Sequence, residues 1–119
     1  MAKIFHLQNI ATNVLQKRKA GLVAELTIPA QAVRASCVQQ YLTCGKRNCR
    51  CQRGRKHGPF LYLVQSLKTG KTRKFLLRTA EQRKDASAAT IAHTDFQAKL
   101  EELSQINTEL LRRGERLIA

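Results

Sequence analysis

Residues 44–60 read CGKRNCRCQRGRKHGPF and contain three of the chain's four cysteines. Its three cysteines and its histidine are spaced C-x4-C-x-C-x5-H, which gives the ligand set Cys44, Cys49, Cys51 and His57. Three thiolates and one imidazole complete a tetrahedral shell, and soft sulfur ligands suit zinc. Because four protein ligands leave no open position, the spacing predicts a structural zinc site. We call residues 44–57 the knuckle.

The sequence leaves alternatives to this site open. The spacing differs from the standard zinc-finger patterns. Cys37 replaces one ligand if its strand folds back, or else the cysteines bind no metal and stay reduced in a basic loop. His57 is the weakest of the four ligands, because a His-Gly-Pro turn can bond its imidazole to backbone instead. Gly45 and Gly54 are expected to let the backbone turn sharply enough to bring the ligands together.

Basic residues are frequent in the knuckle and in the turn from Lys68 to Lys74, which adds donors beside the knuckle if the hairpin folds back. Guanidinium groups bind phosphate oxygens through paired hydrogen bonds, so we expect these side chains to contact a nucleic-acid backbone. The same charges are expected to lower the pKa values of the cysteines. Aromatic side chains can stack on unpaired bases. Phe60 and Phe75 are expected in the core instead, whereas the sequence does not decide between core packing and base stacking for Tyr62. The candidate contacts are Lys46, Arg47, Arg50, Arg53, Arg55, Lys56, Lys68, Lys71, Arg73 and Lys74.

The net charge of +14 is confined to the first two-thirds of the 119-residue chain. Before residue 81 there are 16 Lys or Arg against one acid, whereas from Glu81 onward there are six against seven. So basic a segment attracts polyanions, with nucleic acid (DNA or RNA) ahead of an anionic membrane. A basic face that only aids solubility is the plainer alternative.

Hydropathy gives no indication of a membrane partner. No stretch approaches the roughly 18 consecutive apolar residues of a membrane span. Polar residues interrupt the segment from Met1 to Lys19, so no signal peptide is predicted. We therefore expect a cytoplasmic protein, in which clustered cysteines bind metal more often than they form disulfides.

Apolar spacing predicts helices at both ends of the chain. An N-terminal helix is expected within residues 1–20, ending at Gly21. A long C-terminal helical segment is expected over residues 80–113. Within this segment a new helix is expected to begin at Thr94, because Gln97 follows it at the spacing of a capping box.

Between these helices, residues 37–78 are expected to form a small antiparallel β-sheet around the knuckle. Cys37–Leu42 is expected as one strand, and Phe60–Leu67 and Lys71–Leu77 as a hairpin. With the helices, these strands predict an α+β fold in a single domain, residues 1–119.

The C-terminal helix carries a coiled-coil-like seam. Its residues recur at steps of four and three over about two heptads. A seam on so short a chain needs a partner, which is either the N-terminal helix or a second copy of the chain in a homodimer. An Asn within a seam is a register device of coiled coils, so the dimer stays open. The seam residues are Phe96, Leu100, Leu103, Asn107 and Leu110.

The residues indicate a protein without catalytic activity. The basic part of the chain contains a single carboxylate, Glu25, so the paired acids of general acid–base catalysis are missing there. No phosphate-binding loop, dinucleotide fingerprint or H-E-x-x-H motif is present. Three clustered cysteines are more simply ligands than a nucleophile with its base.

Four segments together resemble a family of small bacterial and archaeal proteins known only as a domain of unknown function. They read CGKRNCRC, HGPF, GKTRKFL and FQAKLEELSQINTELL. The resemblance extends from Val38 to roughly Leu111 and leaves the N-terminal helix outside. Phe60 stands where Tyr is common in the family. The resemblance implies a prokaryotic or mobile-element setting and supplies no activity.

The expected function is therefore that of a zinc-stabilised, nucleic-acid-binding accessory or regulatory protein of a mobile-element or defence system. The alternative is an assembly subunit that binds a protein partner through its helices and docks an acidic surface with its basic loop.

Overall fold

The computed structural model describes residues 4–118 and has an α+β fold, as the sequence predicts. Along the chain, one helix precedes a three-stranded sheet and a second helix follows it, and a short 3₁₀ helix lies between the first two strands. The elements are α1 (Thr12–Glu25), β1 (Ser36–Leu42), the 3₁₀ helix (Arg50–Arg53), β2 (His57–Ser66), β3 (Thr72–Leu76) and α2 (Ala80–Arg112).

The sheet is antiparallel with the strand order β1-β2-β3. The hairpin of β2 and β3 is confirmed, and Gly70 in its turn has a φ of 81°, which glycine adopts without strain. β2 begins at His57 rather than at the predicted Phe60, because His57 pairs with Leu42 beyond a register shift in β1. The last residue of the predicted ligand set therefore belongs to a strand.

The two faces of the sheet differ in burial. On one, the covered face, Leu63 and Leu77 are buried together with Ala89 of α2. The backbone N–H of Val33 also donates to the carbonyl of Ala89 at 3.2 Å. On the other, the open face, no side chain among the described strand residues is buried, although several are apolar. The open face comprises Val38, Gln40, Phe60, Tyr62, Val64, Lys74 and Leu76, by the alternation of side chains along paired strands.

The chain divides into two compact units, and α2 contributes to both. One runs from Gln31 to Ile91 and contains the sheet and the knuckle. The other combines the residues up to Ala30 with those from Ala92 onward. The expectation of a single domain is not tested by this division.

The helical unit, which consists of the residues up to Ala30 and from Ala92 onward, packs part of the seam of α2 against α1. Its core consists of Leu15 and Leu22 from α1 and Ile106 and Leu110 from α2, each at most 2% exposed. Leu103 packs against this core, so the intramolecular alternative accounts for that part of the seam. Leu100 stays 42% exposed. The homodimer stays a prediction.

The predicted N-terminal helix is present but begins later than expected. Residues 1–3 lie outside the described part of the chain, and the helix begins at Thr12 instead of near the start of the expected range, residues 1–20. The segment before it is held without helix, because Leu7 and Ile10 pack on the core and the Arg113 guanidinium donates to the Leu7 carbonyl at 3.0 Å. The helix also continues past Gly21 to Glu25, since burying the adjacent Leu22 outweighs the cost of about 1 kcal/mol for a helical glycine.

The helix start predicted at Thr94 is also wrong, because α2 is continuous from Ala80 to Arg112. The capping box lies earlier. The Gln82 N–H donates to the Thr79 hydroxyl at 3.0 Å, and the Gln82 side chain accepts from the Thr79 N–H at 3.3 Å. Within residues 4–118, neither helix combines the length and the apolar content needed to cross a membrane.

Candidate metal centre

Strand pairing and a short helix bring the four candidate ligands together. Cys44 follows the end of β1, and His57 opens β2 opposite Leu42, so the two ends of the knuckle are adjacent. Cys49 caps the 3₁₀ helix and Cys51 lies within it. The sequence between the strands therefore folds back onto the point where the strands meet.

The ligand atoms of Cys44, Cys49, Cys51 and His57 all lie within 4.8 Å of one another. The Cys44 and Cys51 sulfurs are 3.5 Å apart, and the Cys49 sulfur is 3.0 Å from His57 Nε2. A zinc–sulfur distance of about 2.3 Å in a tetrahedron places neighbouring sulfurs about 3.8 Å apart. The 3.5 Å between the Cys44 and Cys51 sulfurs is slightly below that value and no pair of ligand atoms exceeds 4.8 Å, so small side-chain rotations would let one ion contact all four atoms.

Cys37 stands apart from this cluster. It lies within β1 opposite Leu63, and the group of close metal-ligating atoms does not include it. All four cysteines are free thiols. The geometry favours the set with His57 over the alternative in which Cys37 replaces a ligand.

Glycine conformations shape the knuckle at two places. Gly54 ends the 3₁₀ helix with a φ of 96°, as the sequence led us to expect. Gly58, whose φ is 134°, was missed, and a Cβ there would lie 2.8 Å from the Gln40 carbonyl oxygen. The chain also bends at Gly45, but without a positive φ, so the bend there does not require glycine. Outside these turns, the Gln52 amide donates to the Cys44 carbonyl at 2.9 Å and ties the 3₁₀ helix to the start of the loop.

The thiols of the cluster differ in acidity. The backbone N–H of Cys51, with side-chain hydrogen bonds from Cys44, Cys51 and His57, lowers the pKa of Cys49 to about 6. Burial raises the pKa of Cys51, which is only 2% exposed. Hydrogen bonds within the cluster, rather than the surrounding Lys and Arg charges, produce the low pKa. A thiolate at Cys49 near neutral pH is the form that binds metal.

All ten predicted phosphate-contacting side chains are exposed. Six belong to the knuckle, at the end of β2 that carries His57, whereas Lys68 and Lys71 lie at the turn beyond Ser66. At about 3.4 Å per residue, β2 separates these groups by roughly 30 Å. The hairpin therefore does not fold back to bring the turn beside the knuckle, because β2 runs the length of the sheet between them.

Lys74 occupies the open face between the two groups of charges. Its ammonium donates to the Gln40 side chain at 2.9 Å and lies 4.5 Å from the centre of the Tyr62 ring. The sequence could not show this contact, because it depends on the register that pairs β3 with β2 and β2 with β1.

The sequence predicts Phe60 and Phe75 in the core, but neither side chain is buried. Phe75 is 46% exposed at the edge of the covered face, so its assignment to the core is wrong. Phe60 is half-buried and lines a cleft of about 400 Å³ that also reaches the metal centre. Sequence reasoning missed this cleft, whose other lining residues are Leu42, Thr43, Cys44 and His57.

Comparison with known proteins identifies the family but no activity. A family model described as a domain of unknown function (DUF6788) matches residues 12–86, well over half of the chain. The chain belongs to this family. The match begins at the start of α1 and ends in α2, so α1 lies inside it, contrary to the range expected from Val38 to Leu111. No curated protein and no solved structure matches the chain.

Proposed function

We propose that this protein is a non-enzymatic nucleic-acid-binding accessory or regulatory protein whose knuckle is held by zinc. One observation carries the proposal: four metal-ligating atoms lie within 4.8 Å of one another in a loop whose six Lys and Arg side chains are all exposed. The cysteines and the histidine set the shape of the loop, and the basic side chains supply the binding.

The choice of zinc rests on the chemistry of the ligands. Three sulfurs and one imidazole nitrogen suit zinc, whereas calcium and magnesium require oxygen ligands. The knuckle also has almost no core of its own, since Cys51 is its one buried residue. A loop that cannot order itself by burying apolar side chains needs another source of stability, and a structural metal supplies it.

Nucleic acid as the partner rests on charge and exposure. Residues 31–79 contain twelve Lys or Arg and no Asp or Glu. A phosphate backbone is the polyanion that a surface of this kind attracts, and neutralising it releases counterions. Contacts to phosphate contribute affinity for nucleic acid without sequence specificity.

The assembly-subunit alternative has a weaker basis. The apolar face of α1 and part of the seam of α2 are already used against each other. Ile91, Leu100 and Leu111 remain 57%, 42% and 58% exposed and are the large apolar side chains left for a protein partner on α2. The mobile-element or defence setting rests on the family resemblance alone, and the cytoplasmic location stays a prediction.

Reversal of three knuckle charges tests the proposal. We expect wild-type binding to a nucleic-acid probe to weaken steeply with salt, and the variant Arg50→Glu/Arg53→Glu/Arg55→Glu to lose it while keeping its circular dichroism spectrum. A matched control, Lys17→Glu/Lys84→Glu/Arg116→Glu, makes the same change in net charge at exposed helical and C-terminal positions. Equal binding by the two variants would show that the knuckle is not the contact surface.

A further inference from the structure

The open face of the sheet has a composition that its fold does not explain. It carries two aromatic and three aliphatic side chains, none of them buried, whereas the covered face packs on α2. A polar, solvated outer face is the usual partner of a buried one in an antiparallel sheet. An apolar face whose side chains all stay partly exposed is the kind of surface that binds a ligand.

The charges around this face restrict what can bind there. The basic knuckle lies at one end of β2, the turn with Lys68 and Lys71 lies at the other, and Lys74 projects from the face between them. No acid occurs from Leu26 to Ala80. The complementary ligand therefore combines a line of negative charges with flat or apolar groups that fit between them.

We propose that the open face binds single-stranded nucleic acid, with unpaired bases stacking on Tyr62 and Phe60 and phosphates contacting the cations at both ends of β2. This inference rests on the proposed function and names its substrate. Bases in a duplex stack on one another and cannot lie on the sheet, whereas unpaired bases stack on aromatic side chains regardless of sequence. A duplex strand advances about 3.4 Å per nucleotide and an unstacked strand advances more, so the roughly 30 Å along β2 holds at most about nine nucleotides.

The local contacts suit each aromatic side chain to this role. Phe60 opens onto the cleft of about 400 Å³ beside the knuckle, which leaves room for a base next to the knuckle cations. Lys74 lies 4.5 Å from the centre of the Tyr62 ring. An exposed cation–π contact contributes less free energy than the stacking of a base on the same ring. When a strand binds, Lys74 therefore leaves the Tyr62 ring and its ammonium pairs with a phosphate.

The inference is tested by the binding of a labelled single strand of about 12 nucleotides, which is long enough to extend along the whole of β2. We expect Tyr62→Leu to weaken binding about 5- to 150-fold, the loss that one base stack is worth, and Tyr62→Phe to restore it. Phe75→Leu is the matched control, because Phe75 is an aromatic side chain of the same sheet and is 46% exposed, but belongs to the covered face. Equal affinities for Tyr62→Leu and Phe75→Leu would overturn the inference and leave the proposed function standing.

A second measurement does not depend on how well the leucine variant folds. The chain contains no Trp, so Tyr62→Trp introduces a single fluorophore on the open face and Phe75→Trp one on the covered face. We expect the single strand to quench the fluorescence of Tyr62→Trp and not that of Phe75→Trp. Binding without quenching at position 62 would overturn the inference.

Two further outcomes separate this inference from the proposed function. A wild-type protein that binds neither the strand nor its duplex at low salt would refute both. A wild-type dimer that Tyr62→Leu converts to a monomer, measured by light scattering, would assign the open face to a second copy of the chain and overturn the inference alone.

Discussion

Removing zinc is expected to disorder the knuckle and leave the helical unit folded. The reason lies in how little of the knuckle is buried: of its residues, only Cys51 is less than a tenth exposed. The core of the helical unit contains none of the four ligands. The two parts of the chain should therefore respond differently to a chelator.

The magnitude follows from the structure. Ordering about 14 residues costs on the order of 20 kcal/mol at roughly 1–2 kcal/mol each. The knuckle has a handful of hydrogen bonds of its own, such as Gln52 Nε2 to the Cys44 carbonyl at 2.9 Å and the Cys49 N–H to the Lys46 carbonyl at 3.3 Å, worth about 1 kcal/mol each. The remainder of about 15 kcal/mol is of the size that a structural zinc contributes, about 10–16 kcal/mol.

Amide hydrogen exchange, followed by mass spectrometry before and after chelation, is the assay. We expect protection to fall throughout residues 44–57 and to persist in α1 and in the second half of α2. Cys51→Ser should reproduce the chelated pattern, and Cys37→Ser should behave as wild type, because Cys37 is not in the cluster. Unchanged protection of the knuckle in protein shown by elemental analysis to be free of zinc would refute the reasoning.

Three further predictions concern single side chains. Leu22→Ala should lower the free energy of unfolding in urea by about 2–5 kcal/mol, because Leu22 is fully buried, whereas Val23→Ala should cost far less, since Val23 is 55% exposed; equal losses would contradict the assigned core. Hydrogen bonds and charge from Arg112 and Arg113 hold the pKa of Glu109 below its usual range, so the stability that Glu109 contributes is present above its unfolded-state pKa and is lost as pH falls through its folded-state pKa. Glu109→Gln should therefore reduce the fall in melting temperature between pH 6 and pH 3, and a variant with the same pH profile as wild type would contradict this. Gly58→Ala should destabilise the sheet by roughly 1–3 kcal/mol and weaken zinc retention, because its φ is positive and its Cβ meets backbone, whereas Gly45→Ala has open space and should be tolerated.

Much of the sheet unit follows from local sequence. Alternating apolar residues and the Lys-Thr-Gly turn predict the hairpin, and the cysteine spacing predicts the ligand set that the fold brings together. These features depend on residues close together in the chain. The strand pair Leu42 and His57, which closes the loop, is also local, because the knuckle is short.

The start of α1 and the open face, which the sequence did not predict, depend on contacts distant along the chain. α1 begins at Thr12 because Leu7, Ile10 and Arg113 of the same unit hold the preceding segment in another conformation. Apolar periodicity from residue 4 onward could not reveal this, since packing rather than propensity decides where a helix begins. The open face likewise requires the register of three strands, which no single segment contains.

X-ray absorption at the zinc edge tests the central claim most directly, because it reports both the metal and its ligands. On protein purified without chelator, we predict about one zinc per chain, with three sulfurs at about 2.3 Å and one nitrogen at about 2.0 Å. Protein with almost no zinc, or a zinc surrounded only by oxygen and nitrogen, would contradict the account of a knuckle built from Cys44, Cys49, Cys51 and His57.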